Sequence, residues 1–247
     1  MKSINLVMNI GTRNTAVYQQ GKGLIIKEPS AVLISGRNGK MVLVESGRAA
    51  VQAAQEPHAK EQLLYPIKDG AVFHERAAVL MYKEFIGRVL PYSPFKPRVS
   101  VIACISCGLT SMERRDVENV LIRAGAGEVN LLESPLAAAE FLGLEHAVIV
   151  DIGAGKTEIA VTSPSGLIAG CSLNIGGDAI NRAIMDYVTD VFRQKIQFST
   201  AEKIKKSILS FSPADNASCV VESRCIQADA ASRLKLETRG LRQSVAP

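Results

Sequence analysis

The sequence predicts an α/β protein built twice over, and three observations carry that prediction. Val7-Met8-Asn9-Ile10-Gly11-Thr12-Arg13-Asn14-Thr15-Ala16-Val17 is echoed about 140 residues later by Ile149-Val150-Asp151-Ile152-Gly153-Ala154-Gly155-Lys156-Thr157-Glu158-Ile159, with Asn9 over Asp151, Gly11 over Gly153 and Thr15 over Thr157. Strand-length apolar runs alternate with segments of helical period. The continuous apolar run Val99 to Ile105 reads as a central strand, parallel to its neighbours and covered on both faces.

Each echoed copy reads as a β-hairpin: an apolar strand, a Gly-rich turn and a second strand. Glycine lets a backbone approach a ligand closely and expose successive N–H groups, so two such hairpins facing each other would hold a polyphosphate between them. Taken singly, each is equally an ordinary hairpin with a glycine turn.

After the first hairpin, Gly21-Lys22-Gly23 marks a turn, Leu24 to Lys27 and Ala31 to Ile34 are strands, and Gly36-Arg37-Asn38-Gly39 is the next turn. Met41 to Val44 is a strand and Gly47 to Gln55 a short helix stopped by Pro57. Beyond the Asp69-Gly70 turn, Val79, Leu80, Tyr82, Phe85, Ile86 and Val89 are read as one face of a buried helix over Glu75 to Val89. Pro91, Pro94 and Pro97 exclude regular structure and expose a loop holding Tyr92 and Phe95, with Arg88, Lys96 and Arg98 beside it. Thr110 to Gly125 is a helix with a capping box and a glycine stop, Glu128 to Leu132 a strand, and Pro135 to Leu142 a helix. After the second hairpin, Gly176-Gly177-Asp178 opens a helix through Phe192, and a further helix runs from Thr200 to about Ile208. Periodicity weakens beyond Ser212, where only Ser218 to Ile226 reads as a strand.

Hydrophobic residues make up 47% and charged residues 21% of the 247, which places the chain among globular rather than disordered proteins. No apolar run reaches bilayer-spanning length and the start does not read as a signal peptide, so a cytoplasmic location is expected. The odd number of cysteines, with Cys104, Cys107, Cys171, Cys219 and Cys225, reads as buried free thiols. Cys104 and Cys107 have metal or redox spacing, but no second pair follows. The net charge of +5 gathers toward Arg233, Lys235, Arg239 and Arg242, and suits anionic lipid or acidic partners. At 5%, aromatics are too sparse for base-stacking platforms, so no nucleic-acid partner is expected.

Both hairpins, Ser106-Cys107-Gly108-Leu109-Thr110-Ser111-Met112-Glu113-Arg114-Arg115, Glu133-Ser134-Pro135-Leu136-Ala137-Ala138-Ala139, Ile175-Gly176-Gly177-Asp178 and Thr200-Ala201-Glu202-Lys203-Ile204-Lys205 follow one another in order. Together, over roughly residues 4 to 210, they resemble the MreB family of bacterial actin homologues. The resemblance implies an actin-like ATPase fold of the ribonuclease H-like kind, with duplicated mixed sheets, flanking helices and ATP or ADP in an interdomain cleft. It implies a first domain over 1–145, with a small subdomain inserted at about 30–70, and a partial second domain over 146–247 whose tail diverges from about 212. It also implies polymerisation, with itself or with a full-length MreB-like protein, into filaments at the inner face of the cell membrane for cell-shape control, and membrane contact through the Tyr92–Phe95 loop.

On the family's pattern, Asn9, Gly11, Thr12, Asn14, Asp151, Gly153, Gly155, Lys156 and Thr157 surround the phosphates, and Gly176, Gly177 and Asp178 lie beside the nucleotide. Glu202 and Lys205 flank the adenosine, and Glu113 is the catalytic residue that orients the attacking water. Glu113 also sits where a capping box and the helix dipole want a carboxylate. Mg2+ would be held through water by Asn9 and Asp151. The family has aspartate at position 9, and the neutral amide here implies a weakened metal site. Lys156 stands where relatives usually have threonine; its cation would pair with phosphate or replace part of the metal's charge.

Relatives continue for about a hundred further residues, including a Gly-rich loop over the adenine, and nothing after Ser212 resembles that loop. The second domain is therefore expected to be incomplete: a shortened copy, half of a split protein, or a form that assembles with a longer relative. Three functional classes follow. The first is a filament-forming ATPase; the second is an actin-like interaction module without efficient turnover, binding a full-length relative or another partner. The third, a chaperone of the seventy-kilodalton heat-shock type, would need a separate peptide-binding domain.

Overall fold

The structure is a computed structural model that describes residues 3–37, 40–56, 60–91, 97–228 and 230–245. Two compact units emerge, residues 1–174 and 175–247.

In the first unit, β1 (Ser3–Ile10), β2 (Asn14–Gln19) and β3 (Gly23–Pro29) form an antiparallel meander, followed by β4 (Val32–Arg37), β5 (Lys40–Ser46), α1 (Gly47–Ala53), β6 (Gln62–Leu64), β7 (Ile67–Lys68) and β8 (Ala71–Val72). Then come α2 (Glu75–Val89), β9 (Arg98–Ile105), α3 (Ser111–Ala124), β10 (Glu128–Glu133), α4 (Ser134–Phe141), β11 (Ala147–Ile152), β12 (Thr157–Ser163) and β13 (Gly166–Leu173). The principal sheet has the order β10-β9-β1-β2-β3, with β9 parallel to both β1 and β10.

Alternation along β1 sends Ile4, Leu6, Met8 and Ile10 into the core, where Met81, Tyr82, Phe85 and Ile86 of α2 and Val117, Val120 and Leu121 of α3 meet them. The expectation that β9 is covered on both faces needs correcting. Val99, Val101 and Ala103 are buried, whereas Ile102 on the opposite face is 41% exposed, because the helices of this core cover one side of the sheet.

Helix α3 starts and stops as its sequence dictates. Thr110 Oγ1 accepts from the Glu113 N–H, the Glu113 carboxylate accepts from the Thr110 N–H at 2.8 Å, and Gly125 closes the helix at φ 114°. Arg114, one residue on, pairs with Glu133 at the end of β10, so two motifs far apart in sequence are one ion pair. Burial works against the Glu133 carboxylate, but its bonds with Arg114 hold it below its ordinary value.

The hairpin β11–β12 extends to β13, a strand the sequence did not announce, in a three-stranded sheet. Val148, Val150 and Ile152 are 57–69% exposed, while their counterparts Leu6, Met8 and Ile10 are buried. β1 has a parallel neighbour in β9; among the described residues β11 lies at the sheet's edge.

The second unit holds α5 (Gly177–Phe192), β14 (Gln194–Lys195), α6 (Phe198–Ile208), β15 (Ser218–Cys225), β16 (Ala231–Glu237) and α7 (Thr238–Val245). Its strands make one antiparallel sheet with the order β14-β15-β16. Ile184, Val188, Ile204, Leu234, Leu236 and Leu241 form its core. β16 and α7 lie in the stretch where the sequence shows only weak periodicity. They are anchored by polar contacts: Thr238 Oγ1 donates to the Ile208 carbonyl at 2.8 Å, and Arg242 Nε donates to that of Ser210 at 2.9 Å.

The cysteine expectation is corrected in part: the thiols are free, but only Cys104 is buried, and Cys171 is exposed because β13 presents it outward. The Tyr92–Phe95 loop lies outside the described residues.

Candidate functional site

The two echoed turns meet. In the first, a Cβ on Gly11 would run into the Asn14 carbonyl oxygen, so the turn is tight enough to require glycine, and Ser30 Oγ fixes it by donating to the Gly11 carbonyl at 2.7 Å. In the second, the Gly153 N–H donates to the Lys156 carbonyl at 2.8 Å. A Cβ on Gly155 would stand 2.9 Å from Thr12 Oγ1 and 2.8 Å from Asp69 Oδ1, inside normal contact distance. The same Thr12 hydroxyl accepts the Gly70 N–H at 3.0 Å, which joins the Asp69-Gly70 turn to both hairpins.

Between the turns lies a cavity of about 210 Å3. Eight residues singled out from the sequence line it: Asn9, Gly11, Thr12, Asn14, Asp151, Gly153, Gly155 and Lys156. Thr157, which opens β12 between the lining residues Lys156 and Glu158, and Glu113, on the first turn of α3, do not line it. The hydrogen bonds from Thr110 hold the Glu113 carboxylate below its ordinary value against a small burial cost, and the Lys156 cation adds to the effect.

The lining also includes residues that the sequence reading did not assign to the site, among them Arg13, Ser106, Ser134 and Glu158. Glu158 is buried, and its Oε1 accepts from Ser106 Oγ at 2.7 Å and from the Cys107 N–H at 2.6 Å. A carboxylate at an inward position of the alternating strand β12 was the available signal. Glu158 faces Asp151 across the β11–β12 ladder. Burial first, and the Glu158 charge second, push the Asp151 carboxyl above its ordinary value. Burial and Glu158 likewise push the Cys107 thiol up to about 11.

The implied Mg2+ fits this donor set poorly. Asn9 offers a neutral amide, Glu158 Oε1 already accepts two hydrogen bonds, and Lys156 brings positive charge into the same cavity. Among the described residues no group of three or more His, Cys, Asp or Glu side chains has metal-binding geometry.

The remaining predicted residues form a group of their own in the second unit. Gly176 caps α5, Gly177 and Asp178 open it, and Lys205 Nζ of α6 donates to the Gly177 carbonyl at 2.9 Å. Glu202 pairs with Lys206 at 2.7 Å on the outer face of α6.

Comparison with known proteins agrees with this architecture. The profile of the MreB/Mbl protein family matches residues 3–247, well past the point near 210 where the motifs end. The chain is 36% identical over 222 residues to the cell shape-determining protein MreB of Escherichia coli K12, covering 87% of this chain and 64% of that protein. It is 29% identical over 212 residues to Mbl of Bacillus subtilis 168, covering 83% and 62%. The chain thus spans less than two thirds of the length of these relatives. The crystal structure of MreB5 of Spiroplasma citri bound to AMPPNP superposes with a TM-score of 0.83 at 23% identity, over 99% of this chain and 74% of that one. The MamK double helical filament superposes at 0.78 with 17% identity, over 99% and 74%. The fold is actin-like, and the chain belongs to the MreB/Mbl family of cell shape-determining proteins.

Proposed function

We propose that the cavity between the two hairpins receives the phosphates of ATP or ADP, and that the chain is a subunit of MreB-like filaments controlling cell shape at the inner face of the membrane. The observation that carries this reading is the packing of Gly155 against Thr12 and Asp69. It brings two backbone turns, each able to present N–H groups, to opposite sides of one small polar cavity. The solved MreB5 structures with AMPPNP and with ADP lend the same support from relatives. In this reading 1–145 and 146–247 are the two actin-like domains. The second-unit group of Gly176, Gly177, Asp178, Glu202 and Lys205 serves the adenosine side, and filament contacts are made with further copies or a full-length MreB-like protein.

Hydrolysis in this scheme is attack of water on the terminal phosphorus, breaking its bond to the bridging oxygen and releasing ADP and inorganic phosphate. Glu113 is the residue proposed to orient that water, and its capping bonds with Thr110 keep the carboxylate ionised and fixed. A second reading is favoured by Asn9, by Lys156 and by the engagement of Glu113 in its own cap: an interaction module that binds nucleotide or a longer relative with little turnover. Titration calorimetry of ATP and ADP into the purified chain tests the site, and absence of binding to both would remove it. Phosphate release by wild type and Glu113→Ala separates the two readings, since equal rates would leave Glu113 its capping role alone. Co-sedimentation of wild type and Phe95→Ser with anionic vesicles tests the membrane contact, and equal pelleting would remove it.

A further inference from the structure

Two cationic residues line the cavity, Lys156 and Arg13, and the internal repeat explains neither; the Arg13 guanidinium lies 4.7 Å from the centre of the Tyr65 ring. The first hairpin carries Asn14 at the position equivalent to Lys156, and Lys156 stands at the tip of the second hairpin, one residue before β12. Its Cδ lies 3.8 Å from the place a Cβ on Gly70 would occupy, on the far wall of the cavity, and its charge is felt by Glu113 on α3. Among the described residues its ammonium forms no ion pair. Of the two lining positions 9 and 151, which stand in register, one carries an amide and the other an acid.

These placements complement one another. A divalent cation at this spot needs anionic oxygen donors and repels an ammonium, whereas a bound phosphate chain needs positive charge from some source. With an amide at position 9 and the cations of Lys156 and Arg13 in its lining, the cavity meets the second requirement better than the first.

We infer that Lys156 takes the place of a divalent metal in compensating the charge of a bound nucleoside di- or triphosphate, so that this chain holds nucleotide without magnesium. The inference rests on the proposed phosphate site and adds the source of its positive charge. Lys156 acts as a binding residue, a point charge that reaches the phosphate oxygens, with the turn N–H groups of both hairpins completing the shell.

The test is titration calorimetry of ADP into the 247-residue chain, in saturating magnesium and in excess chelator, for wild type, Lys156→Thr and the double variant Asn9→Asp/Lys156→Thr. Wild-type affinity is expected to agree within about twofold between the two conditions, Lys156→Thr to lose about tenfold in chelator, and the double variant to recover affinity only when magnesium is present. A wild type that loses tenfold or more on chelation, or a Lys156→Thr protein that matches wild type in chelator, overturns the inference while leaving the phosphate site standing. Absence of ADP binding by wild type under both conditions overturns the phosphate site itself, and the inference with it. Recovery of magnesium dependence in the double variant is a gain that a misfolded protein cannot show.

Discussion

Glu158 of β12 accepts the hydroxyl hydrogen bond of Ser106, at the end of β9, across 2.7 Å. The two residues belong to different copies of the repeated architecture, and the bond fixes the loop that leads from β9 into α3. Because the same carboxylate oxygen also takes the Cys107 N–H, neither copy can shift without unsatisfying a buried charge. Ser106→Ala is expected to cost about 1.5–3 kcal/mol in urea unfolding. In a double-mutant cycle with Glu158→Gln the two changes are expected to be coupled rather than additive, and strict additivity would show the bond to be idle.

The raised Cys107 thiol gives a chemical readout of the same contact. With its pKa pushed up to about 11, little thiolate exists at pH 8, so iodoacetamide is expected to label Cys107 more slowly than exposed Cys171. Glu158→Gln removes the neighbouring charge and should accelerate labelling of Cys107 while leaving Cys171 unchanged, as followed by peptide mass spectrometry.

The capping box of α3 predicts a pH-dependent loss. Thr110→Ala is expected to cost about 1 kcal/mol at neutral pH. Glu113 is held below its ordinary value of 4.5 in the folded state, so its contribution is complete above that value and disappears as pH falls through the lower folded one. The stability gap between wild type and Thr110→Ala should therefore narrow on acidification, and a constant gap in denaturant melts across that range would contradict the assignment.

Gly155→Ala is expected to force the hairpins apart, because its methyl would meet Thr12 Oγ1 and Asp69 Oδ1 below contact distance. The expected cost is about 1–3 kcal/mol in thermal unfolding, with nucleotide affinity reduced alongside. Unchanged melting would mean that the two turns do not touch.

Arg193 ends α5 in the left-handed region at φ 56° without the backbone freedom of glycine. Arg193→Gly is expected to raise stability by about 0.5–1 kcal/mol, the left-handed cost less the added chain entropy, as measured by urea midpoint.

Legibility of the fold followed the range of the interactions involved. Helix α2 over Glu75–Val89 and the two ends of α3 could be read because period, cap and glycine stop are local. β16 and α7 could not: Leu234, Leu236 and Leu241 give too few apolar positions for a pattern, and Thr238 is buried through bonds to Ile208 and Ala217 in other segments. At the candidate site, the glycines and polar tips of both turns were readable from their repetition. Ser106 and Glu158 were not, because each acquires its role only from a partner elsewhere in the chain.

The parallel ladder of β1 with β9 sets Ser3 opposite Arg98 and Asn9 opposite Cys104. During synthesis the first hairpin therefore leaves the ribosome with one flank bare, and it must wait for everything through β9 to be made before its sheet can close. Over that interval α2 is already made and can cover Leu6, Met8 and Ile10, but α3, which follows β9, is not. Closure of the first unit's sheet thus waits on chain growth through β9.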